Sequence, residues 1–411
     1  MSTTRTFSTM LNEYLPYTLL FDELKKRDWL MQNIEQDDSW LGGNLVVPFL
    51  GAVGSSVTFG SLAASNDISE EIAVRGNISS YKECWSSMIF NETDLMQHGK
   101  LSEQNLLRIL PDALERQAAY LKGVISQNLL TGSFVAYATA DGTAGGLITV
   151  DQPDRFEIGQ KVQVDDSNSS PITGYVRLIN MNTGVLTIYD ARSGGAVVDL
   201  SPYTVAQAAV IFQDGQQANG FTSLRDQLLP LSAGGATNIF GVVKTDYPFT
   251  QAIAASGASI TAANILTKIF EFYVDVRRKG SGAPFAVVMS YKHYGSCLKA
   301  LETAKGAFNT KPMSKSSMVY GWDEIEVGGF AGTLKLIAVQ EMNDSEIYFL
   351  DLKTIKFFTN GGIRRRRNPD GREFYEVRNT TGYQYIVDHC LFGELVVSEP
   401  KKNGILHTIS Y

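Results

Sequence analysis

The chain has 411 residues, of which 44% are hydrophobic and 19% are charged, and its formal net charge at pH 7 is -7. This length allows two or three domains with a well-buried core. The acidic composition, with a pI of about 5.3, argues against a dedicated nucleic-acid-binding protein, because such proteins usually carry a basic face or a high pI.

The N-terminal sequence and the cysteines bear on the compartment. The start, MSTTRTFSTMLNEYLPY, has no basic region followed by an apolar run, so we expect no secretory signal. No apolar run reaches the roughly 18 residues of a membrane-spanning helix. Cys84, Cys297 and Cys390 are odd in number and far apart, which argues against a disulfide scaffold and fits a reducing compartment.

The first 82 residues predict an arm followed by an extended loop. In residues 1–44, helical spacing of Leu20, Leu24, Leu30 and Ile34 predicts a short helix, and Gly42-Gly43 end the segment. Residues 45–82 contain short β-type runs separated by glycine and serine. Because no run can make its own core, we expect a long two-stranded loop that packs on another subunit.

A long helix and a β-rich segment follow. The stripe Leu114, Ala118, Leu121, Ile125 and Leu129 predicts a helix over 101–131, with a break or kink at Pro111 and an end at Gly132. Residues 134–213 contain short strands at close intervals, including a hairpin with its turn at 182–184, and predict a small β-barrel or sandwich.

The rest of the chain alternates helices and strands. Ile265, Ile269, Phe272 and Val276 predict a helix that ends at Gly280. A buried strand, PFAVVMS, precedes a second helix, and the segments after about residue 323 are rich in strands.

Motifs of catalysis are missing from the sequence. There is no phosphate-binding loop, dinucleotide fingerprint, nucleophile elbow or zinc-protease motif. The four histidines, His98, His293, His389 and His407, are dispersed and predict no metal site. We therefore expect no enzyme activity, no catalytic, metal or cofactor-binding residues and no cofactor.

Two groups of adjacent polar residues could still carry chemistry. Asp388, His389 and Cys390 are consecutive, but adjacent residues of a strand point to opposite faces, which favours a strand with one polar face over a catalytic relay. Asp165-Asp166 could bind a metal or exchange protons, although their flanking serines favour a solvated turn.

The order of these parts resembles the major capsid proteins of tailed double-stranded-DNA bacteriophages, the HK97-type capsid family. The stretch SSMIFNETDLMQHG resembles the end of the family's extended loop, FAVVMSYKHYGSCLKALE its axial strand and helix, and VGGFAGTLKLIAVQEMNDSEIYFLDLKTIKFF its returning strand pair. The resemblance covers most of the chain except residues 134–213.

The resemblance implies an α+β, HK97-like capsid fold with an inserted small β-barrel or sandwich. The implied parts are an N-terminal arm (1–44), an extended loop (45–82), a peripheral domain with a spine helix (83–133), the inserted domain (134–213), a continued peripheral domain (214–254), an axial domain (255–345), a peripheral region with an arginine hairpin (346–394) and a C-terminal return to the axial domain (395–411).

The implied function is a shell protein that forms hexamers and pentamers of an icosahedral head around double-stranded DNA. The implied partners are further copies, packaged DNA through weak non-specific contact, a separate scaffolding protein, a portal and a possible decoration protein, with assembly in the host cytoplasm and no membrane. The alternatives are an encapsulin-like cage around cargo enzymes and a carbohydrate- or peptide-acting enzyme with an accessory β-domain.

Four consecutive arginines, Arg364 to Arg367, precede a turn at 368–371 that suits type I geometry. We expect a hairpin from Ile363 to Val377 in which alternate arginines point to opposite faces and Glu373 and Glu376 neutralise some of them. A solvated hairpin and DNA contact are possible. The resemblance favours contact between subunits, and arginine suits that role because its fork binds carboxylates at two points.

Overall fold

The computed structural model describes residues 28–40, 43–50, 73–79, 82–91, 96–97, 100–101, 103–132, 134–140, 146–150, 152–165, 171–200, 209–280, 286–303, 324–329, 332–366, 374–379 and 382–410. Its α-helices are α1 (Trp29–Asn33), α2 (Glu103–Thr131), α3 (Gln216–Asn219), α4 (Leu224–Leu228), α5 (Ile265–Gly280) and α6 (Tyr291–Thr303). The described helices include none with the length and apolarity that a membrane crossing requires.

The strands number from β1 to β23 in chain order. They are β1 (Glu35–Asp37), β2 (Leu45–Leu50), β3 (Ala73–Ile78), β4 (Lys82–Asn91), β5 (Met96–Gln97), β6 (Lys100–Leu101), β7 (Phe134–Ala140), β8 (Leu147–Thr149), β9 (Lys161–Asp165), β10 (Ile172–Asn180), β11 (Val185–Tyr189), β12 (Ala209–Gln213), β13 (Asn238–Ile239), β14 (Val242–Val243), β15 (Ile253–Ser256), β16 (Ala286–Met289), β17 (Glu324–Gly329), β18 (Gly332–Ala338), β19 (Ile347–Leu350), β20 (Ile355–Arg365), β21 (Tyr375–Asn379), β22 (Gly382–Val397) and β23 (Gly404–His407).

The first sheet is built around the long strand β22. On one edge of β22 lies β4, and on the other edge β20 and β21 lie end to end, with β1 beyond β20. The inner face of this sheet packs beneath the long helix α2. Leu391, Leu395 and Phe357 of the sheet share one core with three residues of the helix, Leu121, Ile125 and Leu129. The burial of those three helix residues confirms that part of the predicted stripe.

The long helix continues through Pro111, so the predicted break is wrong. Proline removes one N–H donor from the ladder, and a helix packed along a sheet can absorb that loss when burial of its apolar stripe supplies the stability. Gly132, with φ +74°, donates to the carbonyls of Gln127 and Asn128, and the helix ends there as predicted.

The second sheet has six strands in the order β15-β23-β19-β16-β18-β17. Helices α5 and α6 cover one face of it. Ile265, Ile269, Phe272 and Val276 of α5 are buried against Val287, Phe349 and Leu406, as the periodicity predicts. The other face of this sheet packs into the core beneath α2 with Ala286, Val288 and Tyr348.

Six strands between residues 134 and 213 form a closed barrel in the order β10-β11-β8-β7-β12-β9. Its core includes Val162, Val176, Leu186 and Ile188. The predicted hairpin is β10–β11, in which the Gly184 N–H bonds the Asn180 carbonyl. Asp165 ends β9 and is buried, so the solvated turn predicted there is wrong at this residue, and Asp166 lies outside the described residues.

The N-terminal part of the chain is described from Asp28 onward. Of the helix predicted over residues 20–34, only Trp29–Asn33 is helical, as α1, and Asp28 is its extended N-cap, so the predicted helix is wrong in its extent. Residues 20–27 of that prediction lie outside the described residues. Strands β2 and β3 form a two-stranded ribbon, as predicted for the ends of the 45–82 loop. The loop residues between them, 51–72, are not described.

Candidate functional site

Three of the four predicted arginines are described, and they alternate as predicted. Arg364 and Arg366 are exposed, whereas Arg365 is buried with an exposed fraction of 7%. Arg367 and Glu373 lie outside the described residues. The register of β20 on β22 shifts between Thr359 and Ile363, where Gly361 and Gly362 have positive φ. This irregularity sets which arginines face outward.

The arginine strand pairs with β22, which corrects the predicted hairpin. Arg364 lies opposite Cys390 and Arg365 opposite His389. Glu376 lies farther along the same edge of β22, opposite Tyr385. The described hairpin is therefore β21–β22. Local turn signals could not reveal this pairing, since a strand's partner depends on contacts distant in sequence.

The outer face of the first sheet carries a group of exposed or half-buried aromatic, apolar and basic side chains that we call the Trp85 patch. Its members are Trp85, Ile89, Arg364, Arg366 and Tyr375. Trp85 is 46% exposed and Ile89 is 50% exposed. The Arg366 guanidinium lies over two rings, at 5.8 Å from the centroid of Trp85 and 5.2 Å from that of Tyr375.

Acidic groups fix the Trp85 patch in place. Arg366 Nη1 lies 4.0 Å from Asp388 Oδ2, and the Ser87 hydroxyl donates to the other oxygen of Asp388 at 2.7 Å. The Trp85 indole N–H donates to Glu83 Oε2 at 2.9 Å. Sequence reasoning missed Trp85 and Ile89, although the alternation Trp85, Ser87, Ile89 is the signal of a strand with an apolar outer face.

The ribbon presents a second uncovered apolar surface. Val46, Pro48 and Leu50 alternate along its outer side, and Val46 and Leu50 are 54% and 46% exposed. Arg75 lies beside them, opposite Pro48. The inner side is packed, because Val47 and Phe49 are buried against neighbouring segments that include Trp40 and Ile239. A Cβ at Gly76 would approach the Phe49 ring to 2.6 Å, so glycine permits this close packing.

A polar row lies on the opposite, buried face of the first sheet. Arg365, His389 and Ser86 occupy paired positions on β20, β22 and β4. Gln117 of α2 donates to Ser86 Oγ at 3.0 Å and lies 3.4 Å from His389 Nδ1. Burial, together with the positive charge of Arg365, lowers the pKa of His389 to about 4. The side chains of Asp388 and His389 thus point to opposite faces of β22, as predicted.

Two contacts hold the barrel against the rest of the chain. Arg155 donates to Asn343 Oδ1 at 3.0 Å and to the Met342 carbonyl, and burial lowers the pKa of this guanidinium to about 10. The Gln213 amide donates to the Tyr120 hydroxyl of α2 at 3.0 Å. The barrel therefore meets both the long helix and the β18–β19 connection.

A buried carboxyl group lies where β22 meets the segment after the barrel. Glu394 is 1% exposed and accepts hydrogen bonds from the backbone N–H groups of Thr222, at 2.6 Å, and Leu395. Burial raises its pKa to about 7. The described residues contain no group of three or more His, Cys, Asp or Glu side chains that could hold a metal ion.

No protein-family model and no curated protein sequence matches this chain. Capsid structures are among the solved structures similar to it. A cyanophage A-1(L) capsid asymmetric unit covers 100% of this chain and 95% of its own, at 9% identity and a TM-score of 0.47. The Gordonia phage Cozz structure covers 93% and 86%, at 12% identity and a TM-score of 0.43.

The SrpI encapsulin complex from Synechococcus elongatus PCC 7942 is also similar, covering 100% of this chain and 93% of its own at 9% identity and a TM-score of 0.38. All three TM-scores are below 0.5.

Proposed function

We propose that this chain is the major capsid protein of a tailed double-stranded-DNA bacteriophage. It self-assembles into hexamers and pentamers of an icosahedral shell around DNA, and its role is structural. The observation that carries the proposal is the ribbon, whose outer side exposes Val46, Pro48 and Leu50. A two-stranded ribbon is marginal in water on its own, and contiguous exposed apolar surface is typical of a protein–protein interface.

The arrangement of elements supports an HK97-like architecture. In this proposal, residues 1–44 are the N-terminal arm, the ribbon is the base of the extended loop, α2 is the spine helix on a peripheral first sheet, and the second sheet with α5 and α6 is the axial domain. The barrel is an inserted domain on the particle exterior. The finer domain boundaries are those that the sequence implies.

The Trp85 patch is the proposed second contact surface between copies. Arg364 and Arg366 are its exposed cations, so the proposed subunit contact rests on these two arginines and on Trp85. Arg365 is not part of this contact, because its side chain is buried inside the subunit. Arg367 and Glu373 remain candidates for the same contact, whereas Glu376 shares the face of β21 that carries Arg378 and would meet a neighbouring copy from the opposite face of the sheet.

Further partners complete the proposal. A separate scaffolding protein and a portal would act during assembly in the host cytoplasm, and the virion would be the final location. Packaged DNA would meet the inner shell surface through weak non-specific contact, and a decoration protein could bind the exterior.

Electron microscopy of the purified protein tests this function. We expect wild-type protein to form closed angular shells, and shells made during infection to contain DNA. Leu50→Glu places a charge on the ribbon's outer side and should abolish closed shells. It should change the free energy of unfolding of the monomer by no more than about 0.5 kcal/mol, as is usual for exposed positions.

Leu178→Glu is the matched control, because Leu178 is 59% exposed on the barrel and should not affect closure. Dispersed wild-type monomers under all assembly conditions would overturn the proposed function. Normal shells from Leu50→Glu would show that the outer side of the ribbon is not a contact between subunits. Closed shells that enclose a protein and no DNA would identify a cargo cage.

A further inference from the structure

The hairpin of strands β13 and β14 carries a bulky residue at its turn. Ile239 pairs with Val242, so the turn consists of Phe240 and Gly241. Both have positive φ, +48° for Phe240 and +82° for Gly241. Two-residue turns of this kind favour asparagine or aspartate before the glycine, because a large L-side chain is sterically disfavoured at positive φ. Phe240 is therefore held in a strained backbone conformation.

Contacts with the ribbon offset this strain. The rings of Phe240 and Phe49 are stacked, with centroids 6.4 Å apart and planes inclined by 18°. On β3, the Asn77 N–H donates to the Phe240 carbonyl at 2.8 Å. A Cβ at Gly76 would lie 3.2 Å from the Phe240 Cβ, so the two segments approach closely. Phe240 thus contacts both strands of the ribbon.

Phe240 also links two apolar clusters on the inner side of the ribbon. Val47 and Ile78 belong to one cluster and Phe49 to the other, and the half-buried Phe240 side chain packs against both. Polar contacts that would hold the ribbon by other means are weaker among the described residues. The backbone hydrogen bond from Leu50 N–H to the Ser398 carbonyl is long, at 3.4 Å.

Strand alternation connects this inner contact with the outer side of the ribbon. Val47 and Phe49 point inward, whereas Val46 and Leu50 point outward and are exposed. A slip of one residue would exchange the two sides of a strand. The stacking of Phe49 on Phe240 therefore fixes which apolar side chains of β2 stay on the surface.

We propose that Phe240 is a positioning residue, whose strained turn and ring hold the ribbon on its own subunit so that the outer side faces a neighbouring copy. The inference rests on the proposed shell function, in which that outer side is a contact between subunits. Strained residues persist where the surrounding structure over-determines them. A ribbon that is marginal on its own also loses less conformational entropy in a contact when it is already docked.

Phe240→Asn tests the inference, because asparagine suits the turn and lacks the ring. Hydrogen exchange of the Asn77 amide in the monomer should become at least about tenfold faster, since the ribbon opens locally. The yield of closed shells should fall at least about tenfold. The urea midpoint of global unfolding should not fall, because relief of the turn strain offsets the lost ring contact.

Two further variants separate the ring from the backbone. Phe240→Tyr keeps the ring and the strain, and its Asn77 exchange and shell yield should equal those of the wild type. Phe49→Leu removes the stacking partner and leaves the turn unchanged, and it should speed Asn77 exchange as Phe240→Asn does. In the double variant of Phe49 and Phe240 the two effects should not add, because residues in contact are coupled.

The possible results lead to different conclusions. Wild-type exchange and yield in Phe240→Asn would overturn the proposal and leave the shell function standing. Faster exchange with a normal yield would show that Phe240 docks the ribbon without serving assembly, which also overturns it. Absence of shells from wild-type protein would overturn the proposed function, and the role of Phe240 in assembly with it.

A folding defect in Phe240→Asn would not remove the test. If that variant lacks a cooperative unfolding transition, Phe49→Leu supplies the same two measurements. Faster Asn77 exchange and a reduced shell yield in Phe49→Leu would support the positioning role, and wild-type values of both would reject it.

Discussion

Arg366 stacks on Trp85, with 5.8 Å between the guanidinium carbon and the ring centroid. Trp85 belongs to β4 and Arg366 directly follows the end of β20, and these two strands lie on opposite edges of β22. Their contact fixes the position of an exposed cation on the outer face of the first sheet. An arginine that is already held over a ring loses less side-chain entropy when it meets a carboxylate of a partner.

The first prediction concerns this cation. Arg366→Glu should prevent or weaken shell closure, while the free energy of unfolding of the monomer should fall by only about 0.5–1 kcal/mol, the usual size of an exposed cation–π contact. Sedimentation of particles and thermal unfolding of the monomer measure the two effects. Wild-type shells should also loosen as salt rises, because exposed ion pairs are screened.

Arg378→Glu is the matched control for that experiment. Arg378 is exposed on β21, and its position opposite Tyr383 puts it on the other face of the sheet. Closed Arg366→Glu shells of normal stability that retain DNA would reject the Trp85 patch as a subunit contact. Closed shells that lose DNA would instead assign Arg366 to contact with the nucleic acid.

The second prediction concerns acid stability and His389. Burial and the charge of Arg365 lower the pKa of His389 from 6.5 to about 4 in the folded state. The unfolded chain therefore binds a proton first as the pH falls. The stability that this residue contributes is fully present above pH 6.5 and is lost as the pH falls from 6.5 towards 4, by at most about 3 kcal/mol.

His389→Gln should remove this loss, so urea unfolding of the monomer at pH 7 and pH 4.5 should differ less than in the wild type. Arg365→Met should raise the pKa of His389 in an NMR titration, though burial should keep it below 6.5. Arg378→Met should leave that pKa unchanged. An unaltered His389 pKa in Arg365→Met would contradict the assigned interaction.

The third prediction has the opposite sign and concerns Glu394. Burial raises its pKa from 4.5 to about 7, so the folded chain keeps a proton that the unfolded chain releases. The contribution of Glu394 is fully present below pH 4.5 and is lost as the pH rises from 4.5 to 7, by about 3 kcal/mol. Glu394→Gln should therefore raise the unfolding free energy at pH 8 and change it little at pH 4.5.

Urea unfolding of the monomer at the two pH values measures this effect, and Glu271→Gln is the control because Glu271 is exposed on α5. Equal stability of wild type and Glu394→Gln at pH 8 would show that the carboxyl ionises without cost, and the assignment would fail.

The fourth prediction concerns the barrel. Strand β12 ends beside the start of β7, since Ile211 pairs with Phe134, and paired antiparallel residues have Cα atoms about 5.5 Å apart or closer. Replacing residues 134–213 with a short glycine-serine linker should therefore leave a folded remainder. Circular dichroism should retain a cooperative unfolding transition. A soluble product without such a transition, or a wholly insoluble one, would show that the barrel is needed for the rest to fold.

Local patterns in the sequence determined several parts of this protein. The stripe of Ile265, Ile269, Phe272 and Val276 predicted the buried face of α5, and Gly132 marked the end of the long helix. The alternation of Arg364, Arg365 and Arg366 was also predictable, because successive side chains of a strand point to opposite faces. These features depend on residues close in sequence, whose spacing fixes which side of an element is apolar.

Tertiary structure alone decided the rest. The arginine strand had a nearby candidate partner after its turn, yet it pairs with β22, and Pro111 lies inside a helix that local propensity would interrupt. Both outcomes reflect the burial of apolar side chains contributed by distant segments. The Trp85 patch likewise exists only because β22 brings β4 and β20 onto its two edges, and strand pairing over such distances leaves no periodic signal in the sequence.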